Sequence, residues 1–188
     1  MALYPHFIIG IGGSAGGLKA YTAFLNAMPS DTGAAFVIVS HMLPNASSLL
    51  AEILSKHTKM TVMIPCTGMP IQRNHVYVIP PNADLLIDGY TFEVISPRSK
   101  GNVQVDLLFA SLAEAMGARS IGIILSGRDG DGTNGCKHIK AKGGITFTQD
   151  ESADAEEMSR HAQAAGCIDF VLSPEKIAHA LQSLIRDA

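Results

Sequence analysis

The sequence has no tryptophan, and aromatic residues make up only 6% of its 188 residues. No apolar run approaches the ~20 residues that a helix needs to cross a bilayer. Residues 1–6 also lack the basic segment and apolar core that mark a secretory signal. We therefore expect a protein that does not insert into a membrane.

Charged residues are also sparse, at 16% of the chain, and the two signs nearly balance, with 14 Lys and Arg against 17 Asp and Glu. Proteins that bind nucleic acid usually present a basic face. A net charge of −3 gives no such bias, so we expect no nucleic-acid partner.

Cysteine is scarce as well. Only Cys66, Cys136 and Cys167 occur, and none belongs to the C-x-x-C pair that is typical of zinc or redox sites. We interpret all three as reduced, structural residues, which is typical of a cytoplasmic protein.

One short segment resembles the start of a calcium-binding loop, because oxygen-bearing side chains alternate at Asp129, Asp131 and Thr133. The glycine required at the sixth position of such a loop is Asn134, and the glutamate required at the twelfth is Lys140. We therefore expect no metal and no other cofactor.

What the sequence does contain is an alternation of short apolar runs and stretches with helical periodicity. The predicted strands are residues 7–11, 34–39, 60–64, 75–79, 120–125, 144–148 and 167–172. The predicted helices are residues 18–28, 47–57, 105–116, 133–142, 153–165 and 174–186. Residues 84–88 and 91–95 predict an antiparallel hairpin attached to the sheet. The pattern indicates one α/β domain across residues 1–188, doubly wound, with a mostly parallel sheet and helices on both faces.

Three predicted strands end in residues that carry chemistry. The first is followed by Ser14, the second by His41, and the strand at residues 120–125 by Asp129 and Asp131. Ligands of open α/β sheets bind at the carboxyl ends of parallel strands, where loops and helix N-termini converge. We therefore expect these side chains to share one edge of the sheet.

Ser14 lies at the centre of Gly12-Gly13-Ser14-Ala15-Gly16, a G-x-S-x-G spacing that exposes a hydroxyl on a sharp strand-to-helix turn. Backbone N–H groups of the next helix would stabilise an oxyanion there. Two other interpretations exist. Ser14 is also typical of a helix N-cap, and residues 10–15 match the G-x-G-x-x-A turn of dinucleotide-binding proteins.

The end of the second strand helps to separate these interpretations. A dinucleotide site usually has an acidic residue there, whereas this chain has His41, which suits general-base chemistry near neutral pH. No other histidine follows a predicted strand at its carboxyl end. An aspartate that orients the imidazole would complete a triad. Asp129 and Asp131 both qualify by position, although each is also typical of a turn or helix cap.

Four segments, in this order, resemble the catalytic domain of CheB, the chemotaxis receptor methylesterase and glutamine deamidase. They are IGIGGSAGG at residues 9–17, VSHM at 39–42, HVYVIPP at 75–81 and ILSGRDGDG at 124–132. The resemblance assigns the nucleophile to Ser14, the base to His41 and the acid to Asp131, which decides between the two aspartates. It also implies oxyanion or substrate-binding positions at Ala15 and Arg128.

The resemblance implies hydrolysis of γ-glutamyl methyl esters, and deamidation of glutamine, on a methyl-accepting chemotaxis receptor or similar helical signalling protein in the cytoplasm. The likeness is strongest to methylesterase domains that are fused to a CheR-like methyltransferase, so such an enzyme is a further expected partner. We expect neither a receiver domain nor a methyltransferase domain within residues 1–188.

The chain departs from the family pattern at two places. Asp129 stands where the family usually has glycine, and Met158-Ser159 stands where it usually has Met-Pro. A second carboxylate beside Asp131 would disfavour an acidic receptor segment, and Arg128 would offset it. A non-catalytic module that binds a partner through the same edge, and a nucleotide-binding protein, are the alternative functions.

Overall fold

The structure is a computed structural model that describes residues 4–41 and 49–188. Its strands are β1 (Ile8–Gly13), β2 (Ala35–Ser40), β3 (Thr61–Met63), β4 (His75–Val78), β5 (Asp84–Asp88), β6 (Thr91–Ile95), β7 (Ser120–Ile124), β8 (Ile145–Gln149) and β9 (Phe170–Leu172). Its helices are α1 (Gly17–Ala27), α2 (Leu49–Ser55), α3 (Gln104–Met116), α4 (Thr133–Ala141), α5 (Glu157–Ala164) and α6 (Pro174–Arg186). A single 3-10 turn, Gly117–Arg119, joins α3 to β7.

Seven strands form one parallel sheet in the order β3-β4-β2-β1-β7-β8-β9. The chain therefore builds one half of the sheet outward from β1 through β2, and then returns to build the other half from β7. This reversal places the topological switch point between β1 and β7. In doubly wound sheets the binding crevice forms outside the carboxyl ends of the strands at that point.

The central strands are buried on both faces, which explains their continuous apolar runs. Alternate residues enter two separate clusters: Ile9 and Ile11 pack with α1, α2 and α6, whereas Ile8 packs with α3, α4 and α5. The prediction of helices on both faces of a mostly parallel sheet is confirmed.

Two glycines let α3 and α4 approach the sheet closely. Gly10 and Gly122 are neighbours in the register of β1 and β7. A Cβ atom at Gly10 would lie 2.9 Å from Phe109, and one at Gly122 would lie 2.6 Å from Ile139. The helices can therefore lie low over the centre of the sheet only because these strand positions have no side chain.

The hairpin is observed at the predicted residues, as β5 and β6. These two strands form a separate antiparallel sheet and do not extend the seven-stranded sheet. Their apolar residues Leu85, Ile87 and Phe92 are buried in the cluster that contains α3. The hairpin therefore packs beside α3, and its Phe92 contacts Tyr77 of β4, with ring centroids 4.7 Å apart.

The helix predicted at residues 153–165 is shorter in the structure, where α5 begins only at Glu157. Ala155 instead accepts a hydrogen bond from the N–H of Gly127 through its carbonyl, at 3.0 Å. This contact with a distant loop holds the preceding residues outside the helix. The predicted helix at 47–57 is observed as α2, and residues 42–48 lie outside the described residues.

The last predicted strand, residues 167–172, is observed only at Phe170–Leu172, because Cys167 and Asp169 bond to Thr146 before the regular pairing begins. Cys136 and Cys167 are buried and Cys66 is exposed, and none of the three forms a disulfide. None of the helices within residues 4–41 and 49–188 is both long enough and apolar enough to cross a membrane.

Candidate active site

Ser14 is fixed in the turn between β1 and α1. Its N–H donates to the carbonyl of Ser126 at 2.8 Å, and its own carbonyl accepts from the N–H of Gly17 at 2.9 Å. Gly16 has a φ of 75°, a left-handed conformation that turns the chain into the helix. The turn therefore places Ser14 beside the segment that follows β7.

Ser126, directly after β7, bonds to the turn that contains Ser14 and to the segment before α5. Its hydroxyl donates to the carbonyl of Ala15 at 2.6 Å and accepts from the N–H of Ala155 at 3.0 Å. Its N–H donates to Gln149 Oε1 at 3.0 Å. Ser126 and Gln149 are buried, and analysis of the sequence did not find these supporting roles. The signal available for Gln149 was its position at the end of a fourth parallel strand.

His41 follows β2, and its N–H donates to the carbonyl of Gly13 at 3.1 Å. This bond continues the parallel pairing by one residue and brings the imidazole to the strand end that precedes Ser14. The side chain is only 6% exposed, and its Nε2 lies 2.6 Å from Asp131 Oδ2. The structure thus brings together two of the predicted site residues, which are 90 positions apart in the sequence.

The Asp131 carboxylate is held at the N-terminus of α3. Oδ2 accepts the N–H of Val105 and Oδ1 accepts those of Asp106 and Gly132, each at 2.9 Å, in addition to the contact with His41. The side chain is fully buried. Oriented N–H donors at a helix N-terminus favour a carboxylate there, and these three donors fix the Asp131 side chain in position beside the imidazole.

Asp129 approaches the same imidazole from the other side. Its Oδ2 lies 3.1 Å from His41 Nδ1, and its side chain is 31% exposed. The pair lacks the alignment of a hydrogen bond, and Nδ1 has no hydrogen-bond partner in the described part of the chain. Asp129 is instead anchored by the N–H of Asp131 at 3.0 Å and by Asn102 Nδ2 at 2.7 Å. No signal in the sequence pointed to Asn102.

The two aspartates therefore face opposite nitrogens of one ring. Because Asp131 occupies Nε2, Nδ1 is the ring nitrogen that is left without a hydrogen-bond partner in the described part of the chain. No hydrogen bond joins Ser14 to His41 among the described residues, and catalytic hydrogen bonds often tighten only in the complex with substrate. The carboxylates do not converge on one point, and the described ranges contain no group of three or more His, Cys, Asp or Glu placed to hold a metal ion.

The loop after β7 contributes backbone donors. Gly127 is paired in both directions with the segment before α5, since its N–H donates to Ala155 and its carbonyl accepts from Met158 at 3.1 Å. The N–H of Arg128 has no acceptor among the residues described, and the same holds for the N–H of Ala15. Ala15 directly follows Ser14 and Arg128 directly follows Gly127, so both donors lie at this strand edge.

A groove of about 520 Å³ opens beside the nucleophile turn, and its lining includes Ser14, Leu18, Tyr21, Ser40 and Leu50. Burial raises the pKa of Tyr21, and the neighbouring Ser40 hydroxyl lowers it by less. Tyr21 therefore stays protonated and neutral at physiological pH. The groove presents mostly apolar surface beside Ser14.

The sequence model of the CheB methylesterase family matches residues 9–181. A putative protein-glutamate methylesterase/protein-glutamine glutaminase from Leptospira interrogans is 35% identical over 179 residues, which are 93% of this chain and 92% of the relative. A protein-glutamate methylesterase/protein-glutamine glutaminase from Burkholderia lata is 34% identical over 184 residues, which cover 95% of this chain. The chain spans about half the length of that longer relative, 54%.

The crystal structure of the Thermotoga maritima CheB methylesterase catalytic domain has the same fold. It matches with a TM-score of 0.86 at 27% sequence identity, and the match covers 95% of this chain and 98% of that domain. Fold, family model and relatives agree along nearly the whole sequence, and the chain belongs to the CheB methylesterase family.

Proposed function

We propose that this chain hydrolyses γ-glutamyl methyl esters and glutamine side-chain amides of a protein substrate, through Ser14, His41 and Asp131. The observation that supports this most strongly is the 2.6 Å contact between His41 Nε2 and Asp131 Oδ2, at the strand edge that carries Ser14. A buried carboxylate that holds one imidazole nitrogen leaves the other for proton transfer. The names of the relatives support the same two activities.

In the first step His41 Nδ1 accepts the hydroxyl proton of Ser14 while Oγ attacks the side-chain carbonyl carbon of the substrate. Asp131 stabilises the imidazolium that forms, because its backbone donors keep it in place. The N–H groups of Ala15 and Arg128 donate to the developing oxyanion.

In the second step His41 gives its proton to the leaving group, and methanol or ammonia departs while the acyl group remains on Ser14 Oγ. Water that has lost a proton to His41 then attacks this acyl-enzyme. The substrate is released as a glutamate carboxylate, and Ser14 regains its proton. Ester and amide substrates therefore give the same negatively charged product.

The proposed substrate is a helical chemotaxis receptor in the cytoplasm. A methyl ester must first be formed on a glutamate side chain, so a methyltransferase of the CheR type has to act on the same protein. The groove beside Ser14 supports this class of substrate, because a glutamyl side chain could extend from a helix into the groove.

The test is Ser14→Ala in a purified enzyme supplied with a peptide that carries γ-methyl glutamate, with methanol release as the readout. We expect at least a thousand-fold loss of kcat, in line with the removal of a triad nucleophile. Ser55→Ala, which changes an exposed serine at the end of α2, should retain full activity. Undiminished hydrolysis by Ser14→Ala would refute the triad. Absence of hydrolysis in the parent, with normal partner binding in both proteins, would favour a non-catalytic binding module.

A further inference from the structure

Asp129 is not needed for the proposed triad, yet its carboxylate stands beside the imidazole nitrogen that must serve the substrate. We propose that Asp129 is a specificity-determining residue that favours primary amide substrates over methyl esters. The inference rests on the proposed function, because it assumes that His41 Nδ1 delivers the proton to the leaving group.

The position of Asp129 is set by two donors. The N–H of Asp131 holds Oδ1 at 3.0 Å, and Asn102 Nδ2 holds Oδ2 at 2.7 Å. Asn102 is supported in turn by Arg98 Nη2, which donates to its Oδ1 at 3.2 Å. The carboxylate is therefore fixed at the rim of the site, and its 31% exposure leaves part of it open to a substrate.

The alignment of Asp129 matters as much as its distance. Oδ2 is 3.1 Å from Nδ1 but does not form a hydrogen bond with it. The nitrogen can therefore still exchange a proton with Ser14 and then with the leaving group. Any leaving group that takes this proton must come within hydrogen-bond distance of Nδ1, which brings it into the neighbourhood of Asp129 Oδ2.

The two leaving groups differ in what they offer to a carboxylate. In the amide intermediate, the C–N bond breaks as the nitrogen takes the proton from Nδ1, and ammonia leaves. That nitrogen carries two further N–H groups, and one of them can donate to Asp129 throughout the step. The methoxy oxygen of the ester has no hydrogen of its own to donate. Its lone pairs and methyl group instead face a negative charge without compensation.

A second effect of Asp129 is common to both substrates. Its negative charge stabilises the imidazolium of His41, which forms in the reaction of both substrates. This shared contribution changes both kcat/KM values in the same direction. The ratio of amide to ester hydrolysis is therefore the quantity that responds to the contact with the leaving group.

The experiment compares one peptide in two forms, with glutamine or with γ-methyl glutamate at the reacting position. Ammonia and methanol release give kcat/KM for each form. We expect Asp129→Gly to lower the amide-to-ester ratio about tenfold, which corresponds to the loss of one charge-assisted hydrogen bond. Asp129→Asn, which keeps the shape and one acceptor oxygen, should lower the ratio by less. It also covers the case in which the glycine variant does not fold.

The matched control is Asp154→Asn, which removes a rim carboxylate that pairs with Lys19 at 2.9 Å and has no contact with His41 among the described residues. Its ratio should equal that of the parent. A ratio that is unchanged or increased in both Asp129 variants would overturn the inference, as would a parent that hydrolyses the ester but not the amide.

Failure of the inference and failure of the proposed function give different results. If Ser14→Ala abolishes both reactions while the ratio does not respond to Asp129, only the specificity role is refuted. If Ser14→Ala retains both reactions, or if the parent performs neither, the proposed function falls and the inference falls with it.

Discussion

Replacement of Asp131 by asparagine should change both the catalytic rate and the stability of the protein. The carboxylate accepts four hydrogen bonds, two on each oxygen: Asp106 and Gly132 donate to Oδ1, and Val105 and His41 donate to Oδ2. Asparagine has the same shape but only one oxygen. Its amide group therefore faces two donors in either of its orientations.

The free-energy cost of the hydrogen bonds that are lost decides which of the two orientations the asparagine amide adopts. If the amide faces Asp106 and Gly132, two buried N–H groups lose their acceptor, at a cost of about 2–6 kcal/mol. If it faces Val105 and His41, only one backbone N–H is lost, at about 1–3 kcal/mol, because the imidazole can move its proton to Nδ1 and accept at Nε2. The second orientation is preferred, but a proton on Nδ1 prevents His41 from taking the proton of Ser14.

We therefore expect Asp131→Asn to reduce the free energy of unfolding by about 1–3 kcal/mol and kcat by about 10³- to 10⁴-fold, the loss known for a triad whose histidine has the wrong tautomer. Urea denaturation and methanol release from the ester peptide measure the two effects.

The matched control is Asp106→Asn at the same helix N-terminus. Burial, reinforced by the charge of Asp131, raises the pKa of Asp106, so loss of its charge should cost little. Its acceptor for the N–H of Gly135, at 2.7 Å, is retained in asparagine. If the two variants were equally stable and equally active, the reasoning about Asp131 would be refuted.

Two further predictions concern the support of the site. A methyl group in Gly127→Ala would overlap the buried Met158, so we expect a loss of about 1–3 kcal/mol in denaturation and a lower kcat; unchanged values would contradict this tight packing. Burial of Asp84 raises its pKa, but hydrogen bonds from Ser99 and Gln104 together outweigh burial and bring the pKa below 3.8. The stabilisation is present above pH 3.8 and is lost as pH falls through the lower folded value, so Asp84→Asn should be less stable at neutral pH and lose less on acidification. Parallel curves of stability against pH for the two proteins would refute it.

Most of the fold could be predicted because the pattern is local. The strands at the centre of the sheet are continuous runs of apolar residues, whereas the helices have apolar residues at helical spacing. Each type of element can therefore be identified from its own residues alone. The start of α5 could not be predicted, because a backbone contact from Gly127 to Ala155 prevents helix formation there. The short β9 likewise depends on bonds that Thr146 makes to residues far along the chain.

The candidate site was predictable to the level of strand ends. Ser14, His41 and Asp131 follow three parallel strands, and a parallel sheet necessarily brings such positions to one edge. The choice between the two aspartates came from resemblance to a family, since both follow the same strand. Gln149 and Asn102 were missed, because their roles depend on which loop lies above which strand end.

The sequence by itself determined the alternation of strands and helices, the glycine-rich turn around Ser14 and the order of the strand ends, because these depend on residues near one another in the chain. Only the tertiary structure decided how His41 is used. Hydrogen-bond geometry between residues about 90 positions apart depends on packing to within a fraction of an ångström. That packing places Nε2 against Asp131 and leaves Nδ1 facing Asp129 without a hydrogen bond in the described part of the chain.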